Sequence, residues 1–115
     1  CRAHGAKLIW VSTPSTKNWN TPRHNTVQKI ANELEIPYVD MNIMRKEIPI
    51  DWKNDTRDKG DHLNFNGALK VTDFVGKYLS ERYALPDHRE DPRFKEWDVA
   101  LQQFNKTSDN ALGYE

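Results

Sequence analysis

The chain has 115 residues, enough for one domain of ordinary size and too few for two. Seventeen basic residues balance seventeen acidic ones, which excludes the concentrated positive charge of a nucleic-acid binder. The single cysteine, Cys1, excludes an internal disulfide, and no apolar run approaches the roughly 20 residues that cross a bilayer. In chain order, the opening "CRAHGAKLIWV" reads as the end of a helix running into a strand, with no signal segment, and predicts a fragment whose N-terminal part is missing. The apolar run Leu8 to Val11 predicts a strand buried on both faces, the kind found in parallel sheets. "STKNWNTPRHN" is rich in turn formers and predicts a loop.

In "NTVQKIANELEIP", Val27, Ile30, Ala31 and Leu34 share one helical face, with Asn25 as the expected N-cap and Pro37 forbidding continuation much past Glu35. A short strand, "PYVDMN", follows, and strand, helix, strand predicts a right-handed crossover in a parallel sheet. From Ile43 to Gly60 periodicity is lost, which predicts a long loop of the kind that carries function. Next comes a strongly amphipathic helix. Ala68, Leu69, Val71, Phe74, Val75, Tyr78, Leu79 and Tyr83 fall on one arc, Asn66 is the expected N-cap, and Arg82 is the one charge on the apolar side. Asp91 and Pro92 then open a tail helix over about 91–105, whose Phe94, Trp97, Leu101 and Phe104 are expected to pack onto the body. Residues 107–115 form a polar tail expected to fray, and the link "LPDHREDP" is too short to mark a domain boundary, so 1–106 reads as one domain.

The chemistry concentrates in "DKGDHLNFNGALKVTDFVGKYL", where Asp58, Asp61 and His62 precede the amphipathic helix. A histidine acts as general base toward a serine hydroxyl when a carboxylate fixes its tautomer and stabilises its protonated form. Spacing alone also allows a solvated turn whose polar residues cap the helix. His4 and His24 lack a similar frame of carboxylate and helix start and read as surface or capping residues; His88 beside Asp87 is the nearest decoy. Trp19 and Trp52, in two loops expected at one rim, suit a platform for a sugar ring or acyl chain, or else cover the core. Asp51, Asp55, Asp58, Asp61 and His62 crowd one loop, but Lys53, Arg57 and Lys59 break the calcium-loop spacing and neutralise the cluster, which argues against a metal.

The run Asp58 to Leu79 resembles the last block of the SGNH (GDSL-like) hydrolase family, in which the Asp and His of a catalytic triad lie just before the final helix. Its surroundings resemble one bacterial branch of that family: "WVSTPS", the strand "IPYVDMN", the Asp, Gly, His, Leu, Asn, Gly pattern, and a Leu-Pro-Asp-His-Arg link with a late Trp. The resemblance covers nearly the whole chain and implies a three-layer α/β/α flavodoxin-like fold, here the C-terminal part with its last two parallel strands. It implies a serine esterase or acyl-transfer activity on ester-linked acyl groups, with O-acylated carbohydrate as a possible substrate by fold-level analogy and no cofactor. By position, His62 corresponds to the base. The widespread motif places its Asp where Lys59 stands, so the orienting acid is Asp58, which fits the branch, or Asp61, its rival; a tight turn at Gly60 favours Asp58. No Gly-Asp-Ser block and no oxyanion-hole block occur here, and Ser12, Ser15, Ser80 and Ser108 lack the setting of a nucleophile. The expectation is a portion supplying acid and base, inactive alone and completed by the missing N-terminal half of the same domain. The alternative is a non-catalytic α/β binding or structural module in which His62 merely caps the helix.

Overall fold

The computed structural model describes residues 1–112 and shows a mixed α/β chain with three α-helices and two small sheets. It falls into two compact units, Cys1–Arg82 and Tyr83–Glu115. The first holds both sheets. Strand β1 (Trp10–Ser12) pairs in parallel with β2 (Tyr38–Asp40), in the register Trp10 to Tyr38, Val11 to Val39 and Ser12 to Asp40. That register brings Ser12 and Asp40 side by side at the carboxyl ends. The expected burial of the first strand on both faces is not met, since Leu8 and Val11 stay exposed and, among the described residues, only β2 pairs with β1.

Helix α1 (Thr21–Glu33) connects the two strands and starts earlier than periodicity suggests, because Asn20 rather than Asn25 is the N-cap: its side chain accepts from Arg23 N, and Pro22 fills the first turn. It ends in a Schellman motif. Ile36 N donates to Ala31 O and Glu35 N to Asn32 O, with Glu35 in the left-handed conformation (φ 54°) just before Pro37.

The segment expected as an unbroken loop over 43–60 contains a strand. Thr56–Arg57 (β3) pairs antiparallel with His62–Leu63 (β4), forming a hairpin that leads into α2 (Phe65–Arg82). Asn64, not Asn66, caps this helix: its Oδ1 accepts from Gly67 N, while its own amide group donates to Asn54 O. Val71 joins Val39, Met41 and Ile48 in the core, and Phe74, Val75 and Tyr78 pack against it; Leu69, counted on the same arc, remains half exposed. The misplaced charge has a partner, since the Arg82 guanidinium lies 4.1 Å from the centre of the Tyr78 ring. Lys70 Nζ meets the buried Asp55 carboxylate at 2.6 Å and the Pro49 carbonyl at 2.9 Å, fastening the preceding loop to α2.

One glycine sets how closely hairpin and helix approach. A Cβ at Gly67 would overlap the Asp55 carbonyl oxygen and meet Leu63 Cδ2 at 3.0 Å. Backbone cannot yield as a side chain can, so Gly67→Ala is expected to cost about 2–3 kcal/mol. An unchanged urea midpoint would refute this.

In the second unit, a 3-10 turn (Pro92–Phe94) capped by Asp91 precedes α3 (Lys95–Leu112), which runs past the expected end near 105. Its apolar side chains are not buried as expected: Trp97, Leu101 and Phe104 are all more than half exposed. Arg89 turns onto Asp87 and Arg93 onto Asp91, and these partners hold both carboxylates below their usual range.

Candidate active site

The hairpin tip, residues 58–61, is built from unusual backbone. Asp58 (φ 54°), Lys59 (φ 59°) and Gly60 (φ 90°) are successively left-handed, while Gly60 N and Asp61 N both donate to Arg57 O. Two non-glycine residues in this region cost of order 1 kcal/mol each and persist only when surrounding contacts hold them. Those contacts come from the loop leaving β1: Thr16 N donates to Gly60 O at 2.9 Å and Thr16 Oγ1 to Lys59 O at 3.1 Å. Asn42 steadies that loop in turn. Its Oδ1 accepts from Ser15 N and its Nδ2 donates to Thr13 O.

The turn folds Asp58 back onto the imidazole. His62 Nδ1 lies 3.0 Å from Asp58 Oδ2 and 3.8 Å from Asp61 Oδ2. Asp61 is engaged elsewhere, its Oδ1 accepting from Ser15 Oγ at 3.4 Å and from the Asn18 side-chain amide. Asp58 is therefore the carboxylate that meets the imidazole, and Asp61 ties the hairpin to the β1 loop. Both members of the pair are open to solvent, at 65% for the His62 side chain and 64% for Asp58. A neutral imidazole that donates its Nδ1 proton to Asp58 carries its free lone pair on Nε2, the form a general base requires.

Trp19 and Trp52 do come together. They line one cleft of about 390 Å³ with Ser15, Thr16, Asn42 and Arg45. His62 and Asp58 do not line it; the link between dyad and cleft is through Ser15 and Thr16, which touch the hairpin tip.

A second arrangement went unforeseen in the sequence. Asp40, 2% exposed at the end of β2, accepts through Oδ2 from Trp19 Nε1 (2.6 Å), Tyr38 Oη (3.1 Å) and His24 Nδ1 (2.7 Å), and through Oδ1 from both nitrogens of Asn42. Burial pushes this carboxyl up, but the donors from Asn42, Trp19 and His24 together outweigh it and hold it below the usual range. Burial raises the Tyr38 phenol, whose oxygen also pairs with Ser12 Oγ at 2.8 Å. His24 is thus no surface histidine: it lines a cleft of about 420 Å³ with Ser12, Trp19, Arg23, Val27 and Tyr38. The available signal was the acid in "YVDMN", which the strand reading puts where open α/β sheets gather their ligands.

Among the described residues no serine hydroxyl bonds an imidazole, no three His, Cys, Asp or Glu side chains converge to hold a metal ion, and no helix is long and apolar enough to cross a membrane. Compared with protein-family models, with curated proteins and with solved structures, the chain matches none.

Proposed function

We propose that the chain is the C-terminal portion of an SGNH-like serine esterase, supplying the last two parallel strands of a flavodoxin-like α/β/α domain together with the acid and base of its triad. One observation carries this reading: the strained hairpin tip, docked on the loop at the carboxyl end of β1, turns Asp58 onto His62 Nδ1 at 3.0 Å. An exposed pair of this kind adds little to stability, so the strain at Asp58 and Lys59 makes sense as the setting of a reactive imidazole.

In this reaction His62 Nε2 takes the proton of a serine hydroxyl as its oxygen attacks the ester carbonyl, and then returns it to the departing alkoxide. In the second half it takes a proton from water as the water oxygen attacks the acyl-serine carbonyl, and returns it to the serine oxygen as the acyl–oxygen bond breaks and the acid leaves. Asp58 holds the ring and stabilises the imidazolium in both halves. The serine and the oxyanion donors come from chain outside these 115 residues, and no cofactor is required. The substrate class is an ester-linked acyl group on a carbohydrate, for which the paired indoles of Trp19 and Trp52 supply the platform.

A longer protein that includes the serine is expected to label with a fluorophosphonate probe and to lose that labelling in His62→Ala. Undiminished labelling of the variant sinks the proposal. A second reading, a non-catalytic carbohydrate-binding module, is favoured by the position of the dyad outside the tryptophan-lined cleft, and it predicts no labelling of the longer protein at all.

A further inference from the structure

His24 and Asp40 form a second imidazole–carboxylate pair, which the esterase reaction does not use. It is far more buried than the pair at the hairpin tip: His24 Nδ1 lies 2.7 Å from Asp40 Oδ2, with the two side chains 19% and 1% exposed. Asp40 fixes the ring through Nδ1, so Nε2 is the nitrogen left for a ligand in the cleft of about 420 Å³ that His24 lines. Beside it on α1, Arg23 directs Nη1 to the Asn18 carbonyl and keeps the rest of its guanidinium available to the same cleft. None of the described residues lining this cleft is acidic, and much of its remaining wall is ring and hydrocarbon from Trp19, Tyr38, Pro22 and Val27. Trp19 and Tyr38 flank the imidazole, with ring centres 6.4 and 5.9 Å from it.

We infer that this cleft binds a small aromatic carboxylate, held at its anionic end by Arg23 and His24 Nε2 and along its ring by Trp19 and Tyr38. A fixed cation with no acid among the lining residues selects an anion. One guanidinium and one imidazole N–H match the two oxygens of a carboxylate, whereas a phosphate dianion brings more charge and more acceptors than these donors can meet. The aromatic walls select a ring over a bare ion, and the volume, at the small end of the ~300–1,000 Å³ span of ligand pockets, sets the size at one or two rings. In the complex a single imidazolium bridges two carboxylates, donating from Nδ1 to Asp40 and from Nε2 to the ligand. The charged and titratable groups facing that imidazolium are Asp40 and Tyr38 on β2 and Arg23 on α1. The site is preorganised, because Asp40 also holds Trp19 Nε1 and Tyr38 Oη before any ligand arrives. Nothing in this inference depends on the esterase.

The test titrates this chain, ¹⁵N-labelled, with sodium benzoate and sodium phenylacetate, and follows the His24 ring nitrogens and the Trp19 indole by NMR. At least one of the acids is expected to bind with a Kd of about 1 mM or below, shifting the indole and leaving a proton on both His24 nitrogens. Acetate lacks the ring, the matching amides lack the charge and inorganic phosphate lacks the fit, so each is expected to bind about tenfold or more weakly. Arg23→Gln is expected to weaken the aryl acids about tenfold as well. It is the variant of choice because Arg23 is exposed and its guanidinium bonds the Asn18 carbonyl, not the buried network, whereas His24 helps to hold Asp40. The inference is overturned if neither acid binds, if an amide, acetate or phosphate binds as well as the aryl acids, if Nε2 stays unprotonated in the complex, or if Arg23→Gln keeps full affinity.

Discussion

Asp40→Ala is expected to lower the unfolding free energy of the chain by about 3–5 kcal/mol, a large part of the 5–15 kcal/mol a domain typically has. The size follows from what the carboxylate leaves behind. Trp19 Nε1, His24 Nδ1 and both nitrogens of Asn42 would lose their acceptor inside a site where Asp40 is 2% exposed. Losing Asn42 would in turn free Ser15 and Thr13, and with them the loop on which the hairpin tip rests. Asp40→Asn keeps the shape but directs an amide N–H₂ at some of these donors, so it recovers only part of the loss. Acid provides the check. The folded carboxyl lies below its unfolded value of about 3.9, so its stabilisation is fully present above that pH and disappears as pH falls through the folded value. The difference in Tm between wild type and Asp40→Asn should therefore shrink as pH falls below about 4. Asp51, Asp87 and Asp91, also held low, act equally in both proteins and cancel from the comparison. A difference that holds or widens as pH falls below about 4 would refute the assignment.

How far the sequence reveals this arrangement depends on how many residues a signal is spread over. The two longer helices of the first unit are legible because their apolar residues recur over several turns, and the parallel pair because short apolar runs flank the first of them. Their caps are not, since Asn20 and Asn25 offer the same local chemistry, as do Asn64 and Asn66, and only Pro22 and the close approach at Gly67 tip each choice. Strands β3 and β4 have two residues each, too few to show alternation, and the tip between them relies on Asp58 and Lys59 where glycine would announce a left-handed turn. The Asp58–His62 pair was visible because both members lie in one loop. The Asp40–His24 pair was not: its members are brought together only when β1, α1 and β2 have folded, and no local motif records that.

In a protein that also carries the serine, His62→Ala is expected to cut kcat by about 10⁴- to 10⁶-fold, Asp58→Asn by about 10²- to 10⁴-fold, and Asp61→Asn by less than about tenfold. The ordering comes from the hydrogen bonds. An asparagine at 58 can present N–H to Nδ1, and the imidazole then moves its proton to Nε2, where it can no longer accept one from serine. The backbone survives this change, because Asn is among the few residues that tolerate the left-handed φ of 54° at that position. At 61 an amide oxygen still accepts from Asn18 and Ser15, so the hairpin stays docked while Nδ1 keeps its acceptor at 3.0 Å on Asp58. Stability should hardly register either of the two changes at 58 and 62, since the pair is nearly two-thirds exposed; shifts within about 0.5 kcal/mol by urea unfolding are expected. Loss of turnover without loss of fold separates a reactive imidazole from one that caps a helix. Should Asp61→Asn prove the crippling change and Asp58→Asn the mild one, the two carboxylates exchange roles, and the tip would have to rearrange from the geometry seen here before His62 could work.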